Sequence, residues 1–398
     1  MKHIGKTLVA CAGLLALTVG AASAQETIKL GISAPMSGAA AIWGLGMQWL
    51  AQEAAKSVNE SGGVKVGGKS YRFEIVAYDN KYNAAEGTKV AQTLLNRDGI
   101  RYIIGSVGTA PVMALQSLSE RKGALLFTTA WGASIKGPKF PLTFTEINTP
   151  AEVIPPLYGY VKQQHPDIKT VAILNPNDAT GKETEVVSRR IWESLGVKVV
   201  ASDWYERGTT EFQPIAAKMA GLKPDAIDLG TAPPGDSGVI FKEIKVLGWN
   251  GVKVVPAGTS AESMIKIGGD SVDGVYMGLS ADFDGPQATE VQRRLNKGLR
   301  AAVGEPINIV QIGGYDAVMA LKAGMEAANS LEPTAIAAVL PTIMFEVSYG
   351  KTTFGGKDTY GSPQHMLLPA IVSQVKSGKL IELQRAVPAE LTRRLAGK

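Results

Sequence analysis

Four short apolar segments in the middle of the chain begin at Thr170, Val197, Ala226 and Val252, and each interval between them can hold one amphipathic helix. Gly196, Gly221 and Gly248 stand where those helices would stop, as glycine does just past a helix terminus. Strands alternating with helices of this length return to one sheet through crossovers. The pattern therefore calls for βαβ units, a parallel sheet and right-handed connections. The preceding stretch follows the same grammar. Ile28 to Ser33, Tyr71 to Tyr78, Arg101 to Ile104 and Ala124 to Thr128 read as strands, with helices from Trp43 to Asn59 and from Asn83 to Asn96. The fold class is α/β, built from two similar units in tandem.

Two turns stand out. One is Gly105-Ser106-Val107-Gly108-Thr109-Ala110-Pro111, which joins a buried strand to a helix, and the other is Thr129-Ala130-Trp131-Gly132 after the next strand. Both lie at the carboxyl ends of parallel strands, where open α/β sheets bind ligands. Beyond the four middle segments, Val272 to Leu279 is extended. Ala288 to Val303 and Ala317 to Asn329 are helices expected to pack back on an existing sheet. Gly350 to Ser362 reads as a linker or exposed loop, and a hairpin turns at Ser377-Gly378-Lys379 before a short basic helix.

The first residues read as an export leader. Lys2 and Lys6 precede an apolar run from Leu8 to Gly20, and Ala22-Ser23-Ala24 is a cleavage signal that would leave Gln25 first. Losing both lysines lowers the formal net charge from +5 to +3. No lysine- and arginine-rich run interleaved with aromatics points to nucleic acid. Cys11, the only cysteine, leaves with the leader, and only His165 and His365 remain after it, so disulfides, thiol chemistry and histidine metal sites are not expected. Asp79-Asn80 and Asn177-Asp178 read as turn chemistry rather than metal ligands. Gly-Leu-Gly at 44–46 lacks the fuller dinucleotide pattern, so no cofactor is expected. No later stretch reaches 18 apolar residues, and the length exceeds one ordinary core, so two domains are expected.

Several local signatures, in order, carry a resemblance: Ile28-Lys-Leu-Gly-Ile-Ser-Ala-Pro-Met-Ser-Gly38, Trp43-Gly44, Gly62-Gly63-Val64, Tyr78-Asp79-Asn80 and Ile104-Gly105. The chain resembles a periplasmic solute-binding protein of the leucine/isoleucine/valine-binding type, which serves an ATP-driven ABC importer. The resemblance implies a type I periplasmic binding fold: two lobes, each a parallel-sheet α/β sandwich, joined by three crossings with ligand between them. The crossings fall near 145–150, 278–284 and 345–362, giving lobe one as 25–147 plus 280–345 and lobe two as 148–279 plus 346–398. It further implies a monomer in the periplasm that hands a small molecule to membrane permease subunits.

By the same resemblance, Gly108 and Thr109 take a ligand carboxylate, which suits a helix start with free N–H groups. Ala130 supplies a backbone contact, with Trp131 beside it, and Trp43 packs on the ligand. The family's threonine two places beyond Ala130 is Gly132 here. In the second lobe the family's tyrosines fall on Thr180 and Ala232, and its ammonium-pairing glutamate falls on Ala257. An amino acid's ammonium would be desolvated there without a partner. The expected pocket is thus roomier and more apolar, suited to a carboxylate without an α-amino group, an aromatic acid among them. Plainer roles compete: Thr109 as a helix cap, and Trp43 and Trp131 as packing. A receptor-coupled sensor and a branched-chain amino acid or amide binder are the alternatives. Ser106, Thr109, Thr129, Thr180 and Thr231 have no histidine or cysteine nearby, so catalysis is not expected.

Overall fold

The computed structural model describes residues 25–397, so the expected leader and Cys11 lie outside the described residues. The first sheet has eight strands. Their spatial order is Phe354–Gly355, His365–Met366, Thr143–Thr145, Leu125–Thr128, Tyr102–Ser106, Glu26–Ala34, Lys69–Asp79 and Val64–Val66. All neighbours are parallel except the pair at each edge. The second sheet has seven strands in the order Lys379–Ala386, Ala370–Lys376, Tyr276–Met277, Val252–Val255, Ala226–Asp228, Thr170–Pro176 and Lys198–Tyr205, with the first two antiparallel additions.

The sequence of each strand explains its place. Leu30 to Ala34 is a continuous buried run flanked by parallel strands on both sides, as expected for a strand covered by helices on both faces. The helix Ala41–Glu60 lies along the helix Ile309–Ala328, where Gly314 lets the backbone at Met47 approach within contact distance. Asn308 and Gln311 form a reciprocal cap at the start of the second of these helices, and Thr289 with Gln292 does the same for Glu290–Val303. These two helices pack back on the first unit. Leu295, Leu299, Ile312 and Leu321 join the core that contains Leu30, Met47 and Phe127.

The last crossing differs from expectation. Residues 350–362 are no exposed linker: Thr353 and Phe354 are fully buried, and Phe354 packs edge-on to Phe144. Phe354–Gly355 and His365–Met366 belong to the first sheet, so the chain crosses between Met366 and Ala370, and the expected start of a second-lobe segment at 346 is corrected. The C-terminal helix Ala389–Leu395 also returns to that side, with Glu390 accepting from Gly356 N–H and Arg394 donating to the Pro341 carbonyl. The crossings are tied together. Asn148 donates to the carbonyls of Leu368 and Pro369, and Ser373 donates to that of Ser280.

Candidate functional site

Each sheet has one point where successive connections leave in opposite directions. In the first sheet it falls between Glu26–Ala34 and Tyr102–Ser106, and in the second between Thr170–Pro176 and Ala226–Asp228. Ligands bind open α/β sheets outside the strand ends at such points. The residues that follow these strands line one cavity between the lobes: Trp43, Val107 and Gly108 from the first, Thr180 and Thr231 from the second. Tyr82, Thr129, Trp131, Ala257 and Thr259 add to the wall, and Ile147, Leu279 and Val310 close it at the crossings.

Local chemistry aims the two rings of the first lobe. Gly44 sits so close to Pro35 that a Cβ would lie 2.0 Å from the Pro35 carbonyl oxygen, which fixes the helix start carrying Trp43. Tyr82 is aimed by a strained turn. Lys81 and Tyr82 have φ values of 52° and 54°, which for ordinary side chains costs roughly 1–2 kcal/mol each. Asn80 offsets this: fully buried, it donates to the Ser33 and Val107 carbonyls and accepts from Tyr82 N–H at 2.9 Å. Asp79 accepts from the Met36 and Lys81 amides and the Ser37 hydroxyl, so this acidic turn is indeed turn chemistry. Tyr82 then meets Trp43 with ring centroids 5.8 Å apart.

The lobes touch through hydroxyls. Thr180 donates to the Thr109 hydroxyl oxygen at 2.8 Å and accepts from Thr109 N–H at 3.3 Å, while Trp43 Nε1 donates to Thr259 at 3.1 Å. Gly108, at φ 90°, occupies the N-cap position, so Thr109 is the first helical residue and not the cap. Its oxygen also accepts from Gly132 N–H at 3.1 Å.

Of the residues singled out from sequence, Trp43, Gly108, Trp131, Thr180 and Ala257 line the cavity. Thr109 is fully buried just beside it, held by Thr180 and Gly132. Ala130 and Ala232 are set back in the cores. The Ala130 amide donates to Thr128 and its carbonyl accepts from Lys136; the Ala232 amide donates to the Leu229 carbonyl. The loss of a side chain at Gly132 makes no extra room, because a Cβ there would lie 2.5 Å from Thr109 Cγ2 and 2.9 Å from Glu183 Oε2. Gly132→Ala is accordingly expected to push the Thr109 side chain out of place and to lower the melting temperature. Nor is the cavity roomy. It measures about 40 Å³, enough for two or three waters, whereas a benzene-sized occupant needs about 150 Å³. Trp43, Tyr82 and Trp131 fill the space, and an occupant must part Thr109 from Thr180.

At or behind the cavity wall several polar groups lack partners among the described residues, Asn175 Nδ2 beside Thr231 among them. Trp131 Nε1 is buried in the wall without an acceptor. Glu146, 1% exposed on the first crossing, has both carboxyl oxygens unpaired, and burial holds its pKa well above the usual carboxylate range. Arg207 has two buried, unpaired Nη nitrogens beside Tyr82. Lys136, by contrast, pins the Trp131 turn by donating to the Gly132 carbonyl at 2.6 Å, and burial pushes its pKa down to about 8. Sequence reasoning missed Tyr82, Glu146 and Arg207; the Asp79-Asn80 turn was the one signal that pointed toward Tyr82. No cluster of histidine, cysteine, aspartate and glutamate suited to a metal ion occurs among the described residues.

The comparisons with known proteins agree with this geometry. Residues 27–379 match the family described as periplasmic binding protein. A Pseudomonas aeruginosa protein named for binding leucine, isoleucine, valine, threonine and alanine is 24% identical, across 84% of this chain and 87% of its own. An ABC transporter solute-binding protein from R. palustris, solved in complex with benzoate, superposes with a TM-score of 0.76 at 20% identity, covering 91% of this chain and 97% of that one. The branched-chain amino acid transporter substrate-binding protein of Streptococcus pneumoniae, solved with isoleucine, gives 0.74 at 21% identity, covering 91% and 99%. Two lobes, facing switch points, a shared cavity and a match across nearly the whole described chain establish that it belongs to the periplasmic binding protein family, whose members are solute-binding proteins and not enzymes.

Proposed function

We propose that this protein captures a small carboxylate without an α-ammonium, an aromatic acid being the best fit, and delivers it to the permease of an ABC importer. It acts as a monomer exported to the periplasm, its leader cleaved after Ala24. The observation that carries the ligand class is the composition of the wall. Three aromatic side chains line the cavity, and no carboxylate stands among its described lining residues, Ala257 included. The relative from P. aeruginosa is named for amino acids and the R. palustris protein was solved with benzoate; the wall of this cavity favours the second chemistry. The carboxylate replaces Thr180 at the start of the helix Thr109–Lys122, where the Thr109 N–H and hydroxyl face the second lobe. Ligand bridging both lobes favours a population in which they are held together around it, with Thr109 parted from Thr180 and the three crossings as hinge.

A thermal-shift screen of benzoates, dicarboxylates, amides and amino acids tests this. A ligand at one hundred times its Kd adds about 2.7 kcal/mol of stability. Stabilisation by leucine or valine with none by any aromatic acid would overturn the reading. Thr109→Val removes the hydroxyl that accepts from Gly132 N–H and Thr180, and is expected to weaken a carboxylate ligand about tenfold and to lower the melting temperature of the free protein as well. Unchanged affinity would move the anion site elsewhere.

Glu146 supports a second reading. Glu146 directly precedes Ile147 in the chain, and its unpaired carboxyl lies beside Gly313, which also packs against Thr129 of the cavity wall. A ligand ammonium reaching that point would find an acid there, which would restore amino acid binding by a route other than position 257. Glu146→Gln would then abolish amino acid binding, whereas an aromatic acid would be held as before.

A further inference from the structure

Arg207 follows the strand Lys198–Tyr205 in the second lobe, and its guanidinium carbon lies 4.3 Å from the ring centroid of Tyr82, which comes from the first. Its Nε donates to Asp178 at 2.5 Å. The side chain is 20% exposed, yet both Nη nitrogens are buried and find no acceptor among the described residues. A guanidinium carries five N–H donors, so four are left over here. Unmade hydrogen bonds on a buried charge are costlier than on a neutral group. Where Tyr82 of the first lobe meets Arg207 of the second, no acceptor among the described residues faces these donors.

We infer that Arg207 donates to a neutral oxygen substituent of the bound ligand (a ring hydroxyl, ether or amide oxygen), so that the ligand is an oxygenated aromatic acid. This rests on the proposed aromatic-acid reading. Position supports it. Tyr82 lines the cavity and lies against the guanidinium. Asp178, the partner of Arg207, caps the helix Ala179–Ser194, and Thr180 in its first turn lines the cavity and touches Thr109. An acid anchored at Thr109 thus has its ring against Tyr82 and its far substituent toward Arg207. Charge supports a neutral oxygen over a second carboxylate. Asp178 already pairs with the guanidinium, and Asp236, held by the Tyr205 hydroxyl at 2.9 Å, also feels its charge. A ligand dianion would set a third acid around one cation.

Calorimetry on the full chain with benzoate, 3- and 4-hydroxybenzoate, 4-methoxybenzoate and terephthalate tests the assignment. At least one neutral-oxygen acid is expected to bind about tenfold tighter than benzoate, with no gain for terephthalate. In Arg207→Lys, which keeps a cation beside Asp178 but loses the fork, that ratio is expected to collapse to about one. Arg189→Lys, which alters a second-lobe arginine paired with Glu185 away from the cavity, is the control and should keep the ratio. The inference is overturned if benzoate equals every oxygenated acid, if terephthalate is preferred, or if the ratio survives in Arg207→Lys. Failure of all five acids, with an amino acid binding instead, would overturn the aromatic-acid reading as well.

Discussion

Ala257→Glu is expected to weaken benzoate or any ligand carboxylate by at least about a hundredfold, the largest effect on binding that the cavity offers. Ala257 lines the cavity and its amide is fixed by the Gly230 carbonyl, so a side chain placed there points into a wall without cations. A glutamate would set two carboxylates in one desolvated space. Either the ligand is excluded or one acid holds a proton at neutral pH, and both outcomes lower affinity. Ala257→Gln fills the same volume without the charge and separates crowding from repulsion. Glutamine should lose less than glutamate, and the glutamate variant should recover affinity as pH falls toward the carboxylate range. Equal losses in the two variants would reduce the effect to size; no loss in either would take the ligand out of this cavity.

The fold was legible because its strands and helices are long enough to show a period. The four segments from Thr170 to Val255 became neighbouring parallel strands, and the glycines at 196 and 248 followed their helices, whereas Gly221 is the last residue of its helix, with Leu222 capping it. What stayed hidden has no period to show. Phe354–Gly355 and His365–Met366 are two residues each, so their place in the first sheet depends on partners over two hundred residues away, and the third crossing was read too early. The site divides the same way. Trp131 and Thr180 stand at strand ends, where topology alone predicts ligand contact. Tyr82 depends on two residues at positive φ held by one asparagine, and Arg207 on a loop that meets Tyr82 only when the lobes are together. Gly132 shows the limit of counting lost side chains, since its missing Cβ is space already taken by Thr109 and Glu183.

Glu146→Gln is expected to raise the melting temperature at pH 7.5 by several degrees and to flatten its dependence on pH. Glu146 and Asp316 are both buried, and Asp316, which accepts from the Ser348 amide and hydroxyl at 2.7 and 2.9 Å, has its pKa pushed up to about 7 by burial. Glu146 is raised well above its usual value by burial and by the Asp316 charge. Both acids therefore bind protons more tightly folded than unfolded. Below about pH 4 both states are protonated and nothing is lost. Between about pH 4 and 7 the unfolded chain sheds protons that the folded chain keeps, so stability falls as pH rises. For Asp316 alone the shift corresponds to of order 4 kcal/mol across that window. Asp316→Asn keeps an acceptor for Ser348 and should flatten the same window, and because the two acids interact, the double variant should gain less than the sum. Melting curves from pH 4 to 8 on wild type and variants decide it: a wild-type profile that rises between pH 4.5 and 7 and is flattened by Glu146→Gln would mean that Glu146 finds a partner in solution. A ligand ammonium would be such a partner. Leucine that removed the acid-side stability gain in wild type, but not in Glu146→Gln, would place the amino acid's charge on the first crossing and decide for the second reading.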